Sequence, residues 1–314
     1  MRIGYWLSSE EHRPNDLVHF AQMAEDAGFE FALISDHFHP WTSRQGQSPF
    51  VWAVLGGISQ VTRQLRVGTG VTCPLFRLHP AIVAQAAVTA ASMLPGRFFL
   101  GVGTGENLNE HILGSHWPPP GVRLDMLEEA VHVLRLLWRD GSHSYRGRYY
   151  TVEDARIYTL PEQQVPLLVA VSGPQAAELA GRLADGLIAV VPNARLVEHF
   201  GANDKPRYGQ VKVCWAADEA QARRTAHAVW PIGALPGELV AELRELAHFE
   251  AASQLVTEDQ AADSIVCGPD PERHVGAIRR FLDAGFDHVS VHQVGPDQAG
   301  FFDFYQREVL PRLR

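Results

Sequence analysis

GFEFALISDHFHPW, Gly28–Trp41, is the stretch that decides the fold. At its centre Phe31–Ile34 is an unbroken apolar run. That is the pattern of a strand buried on both faces, as in a parallel sheet covered by helices, and not the alternation of a half-solvated strand. In front of it, NDLVHFAQMAEDAG (Asn15–Gly28) has helical spacing, an Asn-Asp start and a glycine stop. Behind it come an acid, two imidazoles and an indole: Asp36, His37, His39 and Trp41. A buried strand that surfaces into such residues places chemistry at its carboxyl end.

Outward from this stretch the alternation continues. Apolar strands are expected at Ile3–Leu7, Leu65–Thr72, within RFFLGVGTG (Arg97–Gly105), at LLVAVSG (Leu167–Gly173), LIAVV (Leu187–Val191), QVKVCWA (Gln210–Ala216) and HVSVHQV (His288–Val294). Helical patterns lie between most of them. SPFVWAVLGGISQVT opens with Ser-Pro, HPAIVAQAAVTAASML has Pro80 in its first turn, and others cover Leu124–Trp138, Pro174–Asp185 and Pro271–Gly285, with a terminal helix closing the chain. EDAGFE (Glu25–Glu30) and LDAGFD (Leu282–Asp287) both end a helix and begin a strand, an internal echo of one βα unit. Eight strands in this rhythm predict a (β/α)8 TIM barrel, one α/β domain over residues 1–314. Insertions are expected near 106–125, 141–163 (an aromatic hairpin, SYRGRYYTVEDARIYTL) and 231–264 (helical). A doubly wound open sheet is the alternative.

The composition removes several function classes. Only two lysines occur, Lys205 and Lys212, and the formal net charge is -9, so no basic surface is available for nucleic acid. Cys73, Cys214 and Cys267 are too scattered for a structural zinc site and fit a reducing compartment. No run approaches the ~18 apolar residues of a membrane span, and the first eleven residues already contain acids. A cytoplasmic protein is the expectation.

In a barrel, the residues just after each apolar run are the candidates. Ser8, Ser9, Glu10 and Glu11 follow the first strand, where helix-capping and solvated loop residues are equally common. After the second, His37 and His39 read either as the start of a metal site or as a proton-transfer site oriented by Asp36 or a backbone carbonyl. His288 and His292 would have to complete a metal set, but adjacent strand positions face opposite sides. Gly68 and Gly70 suggest a close approach of backbone or ligand, or tight packing. GVGTGENLNE (Gly101–Glu110) has Glu106 where the dinucleotide fingerprint needs its last glycine, and an acid there repels a pyrophosphate. What remains is a glycine-rich loop with a carboxylate at its rim. Ser172-Gly173, running into a helix at Pro174, forms either an anion cradle or a simple turn.

Taken together, SDHFHPW, FRLHPAIVAQA, VGTGENLNE and SGPQAAELAGRLADG resemble the luciferase-like superfamily of flavin and deazaflavin barrels. The resemblance is to its branch that uses the deazaflavin coenzyme F420, including the F420-dependent glucose-6-phosphate dehydrogenases. It implies hydride transfer between F420 and an alcohol or carbonyl compound, in a small-molecule enzyme that is commonly a homodimer. It further implies that His37 exchanges a proton with the substrate hydroxyl and that Trp41 lies beside the reactive ring. Glu106 and Glu10 match the acids of the site. Asp36, Gly70, Val71, Cys73, Thr104, Gly105, Asn109, Ser172, Gly173, Gln175 and Ala176 match coenzyme-contacting positions, with a non-prolyl cis peptide at Gly70–Val71. Val190 and Asn193 fall where substrate is bound. No metal is implied.

One departure limits the substrate. The sugar-phosphate enzymes hold phosphate with two lysines and an arginine. Alignment places the first lysine at Asn193, the arginine at or near Asp263, and the second lysine within Leu235–Val240, which has no cation. A phosphate dianion facing those residues would lose most of its binding energy, so glucose-6-phosphate is expected to be a poor substrate. Three rivals stand beside this expectation: an FMN-dependent luciferase-like monooxygenase, a metal-dependent barrel hydrolase using His37 and His39, and a coenzyme-binding protein without catalysis.

Overall fold

The computed structural model describes residues 1–202 and 204–314. Eight parallel strands close on themselves: β1 Arg2–Leu7, β2 Phe31–Ile34, β3 Arg66–Thr69, β4 Phe98–Val102, β5 Leu167–Ala170, β6 Gly186–Ala189, β7 Arg207–Cys214 and β8 His288–Gln293. Each pairs with the next, and β8 returns to β1 through Arg2↔His288 to Tyr5↔Val291. Pairing of β6 with β7 and of β8 with β1 removes the doubly wound alternative, which needs two free edges. The fold is a (β/α)8 barrel.

Side chains alternate along each strand between lumen and helix layer. Trp6, Phe31, Leu33, Phe99, Leu168, Ile188 and Tyr208 fill the lumen. A larger apolar layer, including Tyr5, Leu7, Ile34, Val67, Leu100 and Val289, packs under the helices. Gly68 serves the lumen packing, because a Cβ there would come within 2.2 Å of the Phe99 ring. This resolves the two readings of that glycine in favour of packing.

Helix boundaries follow their signals. Pro14–Ala27 begins at a proline and ends at Gly28 in the left-handed conformation (φ 92°). Pro80–Met93, Pro120–Leu137, Pro174–Leu183 and Pro271–Asp283 likewise start on proline. The hairpin forms between His143–Arg146 and Thr151–Ala155. The insertion after β7 contains helices Gly237–Glu242, Leu246–Ser253 and Glu258–Ser264. Sequence patterns missed Asn107–Glu110 and Ala194–Phe200. Both are too short for a helical period to emerge, and the second links β6 to β7, where two strands in succession were expected. No helix among the described residues is long and apolar enough to cross a membrane.

Candidate active site

The carboxyl ends of β1, β2 and β4 bring three predicted residues together. Glu10 Oε1 lies 2.6 Å from His37 Nδ1, and Glu106 Oε2 lies 3.7 Å from His37 Nε2. Glu10 is buried at 1% exposure, and its Oε2 accepts from the hydroxyls of Ser8 (2.9 Å) and Ser35 (2.7 Å). Burial alone would raise the Glu10 pKa, but His37 and Ser35 outweigh it and lower it to about 2. Burial likewise opposes charge on His37; Glu10, then Glu106 and Asp36, overcome it and raise the pKa to about 9. Nδ1 is thus committed to Glu10, whereas Nε2 faces the site beside a rim carboxylate that is 32% exposed. The pair can give up and take back a proton at Nε2.

The surrounding loops hold this imidazole in place. The Trp41 ring meets His37 edge-on at 4.9 Å and Phe249 at 5.3 Å, so it walls the site and is itself 6% exposed. Ser48 Oγ donates to the His37 carbonyl (2.7 Å). Asn109, matched to a coenzyme contact, is buried, and its Oδ1 accepts from the backbone N–H groups of Phe38 (2.9 Å) and His39 (3.0 Å). Its amide therefore holds the histidine loop against the β4 loop. Asp36, also matched to a coenzyme contact, is equally committed. Oδ2 accepts from Thr72 Oγ1 (2.7 Å) and Oδ1 from Arg77 (2.9 Å). Arg77 further donates its backbone N–H to Glu110 (3.0 Å) and sets its guanidinium 3.8 Å from that carboxylate. This four-residue network ties the ends of β2, β3 and β4 together, and sequence reasoning did not find Arg77 or Glu110.

Near β3 the Gly70–Val71 peptide is cis. Cys73 is buried, which pushes its thiol pKa up and keeps it uncharged. Gly105 has φ +73°, and a Cβ there would approach Cys73 Sγ to 2.6 Å, so only glycine fits. Thr104 and Glu106 on either side are partly exposed toward the mouth.

Across the barrel, Ser172, Gly173, Gln175 and Ala176 surround the N-terminus of Pro174–Leu183 and reach solvent. A Cβ on Gly173 would meet nothing within 4 Å, so this end is open to a ligand. The aligned phosphate positions carry no cation. Asn193 caps the helix Ala194–Phe200, its side chain accepting from Arg195 N (3.0 Å). Asp263 is exposed, Leu235–Val240 spans the start of the helix Gly237–Glu242, and Val190 is exposed at the end of β6.

Lys212 on β7 and His292 on β8, which are register partners, line the lumen near its mouth; the residue patterns suggest His292 only for a metal set and give Lys212 no place in the site. His292 is fully buried; its Nε2 contacts Glu11 at 2.7 Å, and its ring meets Trp230 edge-on at 4.5 Å. His288 lies deeper, stacked on Tyr208 at 4.3 Å. His39 turns its Nδ1 to the Leu108 carbonyl (3.0 Å). The four histidines weighed for a metal site therefore point to four separate partners. No cluster of three metal-ligating side chains occurs among the described residues.

Comparison with known proteins shows the family. Residues 1–288 match the family model described as luciferase-like monooxygenase. The chain is 36% identical over 329 residues to the F420-dependent glucose-6-phosphate dehydrogenase of Microbacterium testaceum (strain StLB037), covering 100% of this chain and 98% of that protein. The corresponding dehydrogenase of Mycobacterium avium (strain 104) is 33% identical over 331 residues, with 100% and 98% covered. Among solved structures, an F420-dependent secondary alcohol dehydrogenase in complex with an F420-acetone adduct superposes with a TM-score of 0.93 at 32% identity, covering 100% of this chain and 99% of that one.

Proposed function

The chain belongs to the luciferase-like monooxygenase family, and from that premise we propose an F420-dependent oxidoreductase that acts on an alcohol or carbonyl substrate lacking a phosphate group. The observation that carries this is His37, held by Glu10 at 2.6 Å with Nε2 turned to the mouth of the barrel. The residues fit such a coenzyme. The open helix end at Gly173 offers unpaired N–H groups to an anionic tail, and Trp41 and the cis Gly70–Val71 segment flank the His37 side of the mouth. When bound, the coenzyme supplies a carbon that accepts or gives a hydride.

The chain's own residues handle the proton. In alcohol oxidation the neutral imidazole takes the hydroxyl proton at Nε2 while the hydride leaves the carbinol carbon, and Glu10 stabilises the imidazolium that forms. In carbonyl reduction the imidazolium gives that proton to the carbonyl oxygen. Because His37 stays protonated up to about pH 9, the two directions should have opposite pH limbs. Oxidation at limiting coenzyme and substrate should rise about tenfold per pH unit until near pH 9 and then level off. Reduction should be flat below that and fall above it. Steady-state profiles in both directions check this, and an oxidation rate already level at pH 7 counts against it.

The substrate follows from the cations that are missing. Asn193 and Asp263 offer a phosphate one capping amide and one exposed carboxylate. Secondary alcohols and ketones should therefore outperform glucose-6-phosphate by roughly 10²-fold or more in kcat/KM, the loss expected when charge-assisted phosphate contacts are absent. Coenzyme titration followed by a panel including propan-2-ol, acetone and glucose-6-phosphate, read by deazaflavin absorbance, tests this. Glucose-6-phosphate as the best substrate would overturn it, and tight FMN with oxygen consumption would favour an oxygenase. The free, buried cysteines suit a cytoplasmic enzyme, and we take residues 1–314 as one barrel domain that pairs as a homodimer. Light scattering at twice 34.7 kDa checks the pairing.

A further inference from the structure

Between β2 and the helix Val51–Val61 the chain runs from Ser35 to Phe50 without helix or strand. Side chains must therefore hold the part of it that meets His37. From Trp41 to Ser48 it forms a strap, and both ends of the strap touch the proton-carrying site. Trp41 sets its ring edge-on to His37 at 4.9 Å. At the other end the Gln47 N–H donates to the Glu10 carbonyl (3.0 Å), and Ser48 Oγ donates to the His37 carbonyl (2.7 Å). In the middle lies Gln45, which the proton transfer described above leaves without a role. Although it sits in a loop, it is 5% exposed. Its Oε1 accepts from the Trp41 N–H (2.8 Å), and its Nε2 donates to the Val229 carbonyl (3.1 Å).

These two bonds say what the amide does. Val229 ends the helix Glu219–Val229, and its carbonyl is one of those that a helix terminus leaves open. The Trp41 N–H can only donate and the Val229 carbonyl can only accept, so the partners fix which end of the amide faces which. A carboxylate could not donate to Val229, and a hydrocarbon of the same length would leave both groups dry, at the full cost of their lost hydration. A second tie joins the strap to the same part of the chain, from the Ser43 N–H to Glu250 Oε1 at 3.2 Å, but it lies at the surface, where water can replace it. The Trp41 ring also meets Phe249 at 5.3 Å. The indole is thus held at its ring by Phe249 and at its backbone by Gln45. We propose that Gln45 is the positioning residue that sets the Trp41 indole against His37, by tying the strap to the helix end at Val229. It acts through Trp41, and the proposal rests on His37 as the proton carrier.

The test begins without coenzyme. Protein labelled with nitrogen-15 in tryptophan gives an indole N–H signal for Trp41, identified by its loss in Trp41→Phe. That signal should move as His37 titrates near pH 9 and stay still in His37→Gln. In Gln45→Met the movement should shrink to less than about half, because the ring no longer keeps its distance from the imidazole charge. Turnover is measured next. Gln45→Met should lower kcat by about 10–10²-fold, the cost of misplacing a group beside the chemistry by about 1 Å, while coenzyme affinity stays within about threefold. Gln45→Glu should fall as far. Glu250→Ala removes only the surface tie and should stay within about twofold of wild type, as surface contacts are worth little. Should the methionine variant lose its fold, Gln45→Glu decides on the same readouts. A folded Gln45 variant that keeps either the Trp41 movement or the wild-type kcat overturns the proposal, and so does a loss in Glu250→Ala as large as that in Gln45→Met. Because the Trp41 signal is read on coenzyme-free protein, its result is separate from any failure to use F420.

Discussion

Replacing His37 with alanine should lower turnover in both directions by about 10²–10⁴-fold, the usual cost of removing a general acid or base, while coenzyme affinity changes little. The separation follows from geometry. His37 contacts Glu10, Glu106 and the edge of Trp41, whereas the open helix end at Gly173, proposed above for the coenzyme's tail, follows β5 across the barrel. Folding should survive, because Glu10 keeps the hydroxyls of Ser8 and Ser35 as donors. The residual rate should also lose its dependence on a group near pH 9. Fluorescence titration of the coenzyme and single-turnover rates measure the two effects. Unchanged turnover removes His37 from the proton path. Loss of both binding and turnover makes its role structural.

The barrel was legible because its strands are buried on both faces, and such runs stand out even when short. Phe31–Ile34 needs no partner in the sequence to be read as a strand. The placement of chemistry at strand ends followed from the same geometry. The residues that failed to show are those whose role depends on what lies across the lumen. By local pattern Glu10 and Glu11 could equally be capping or loop residues, and only the family resemblance marks Glu10 as an acid of the site; they turn to His37 and His292, 27 and 281 positions away. Arg77 sits in FRLHPAIVAQA, a stretch quoted for its family resemblance and given no residue role there. Lys212 left one usable trace: Tyr208, Gln210 and Lys212 alternate with Gly209, Val211 and Val213, a period of two that marks a polar lumen face. Asp36 and Asn109 were legible as site residues, but whether their side chains meet a ligand or the protein depends on Thr72, Arg77 and the backbone of Phe38 and His39. A local motif does not contain that information.

Arg77→Met should cost about 3–5 kcal/mol of stability, the range for removing one member of a buried charge network. The guanidinium is 7% exposed and lies between Asp36, 1% exposed, and Glu110, 2% exposed, so solvent screening does little to soften the loss. Methionine keeps the apolar stem and strands two carboxylates. The penalty should depend on pH with a definite sign. Burial raises the Glu110 pKa to about 7 even with Arg77 present, and the guanidinium only partly offsets it. Without Arg77 that pKa rises further, so the folded state binds a proton that the unfolded state, with an ordinary carboxylate, does not. Stability of the variant should therefore fall as pH rises from about 5 through 7 and beyond. The gap from wild type should be largest near pH 8 and narrow toward pH 5.5, where Glu110 is neutral and only Asp36 remains stranded. Urea denaturation at the two pH values measures it. A gap independent of pH would mean that Arg77 acts through packing alone. A gap below about 1 kcal/mol, the size of a surface ion pair, would mean that the network does not hold the ends of β2, β3 and β4 together.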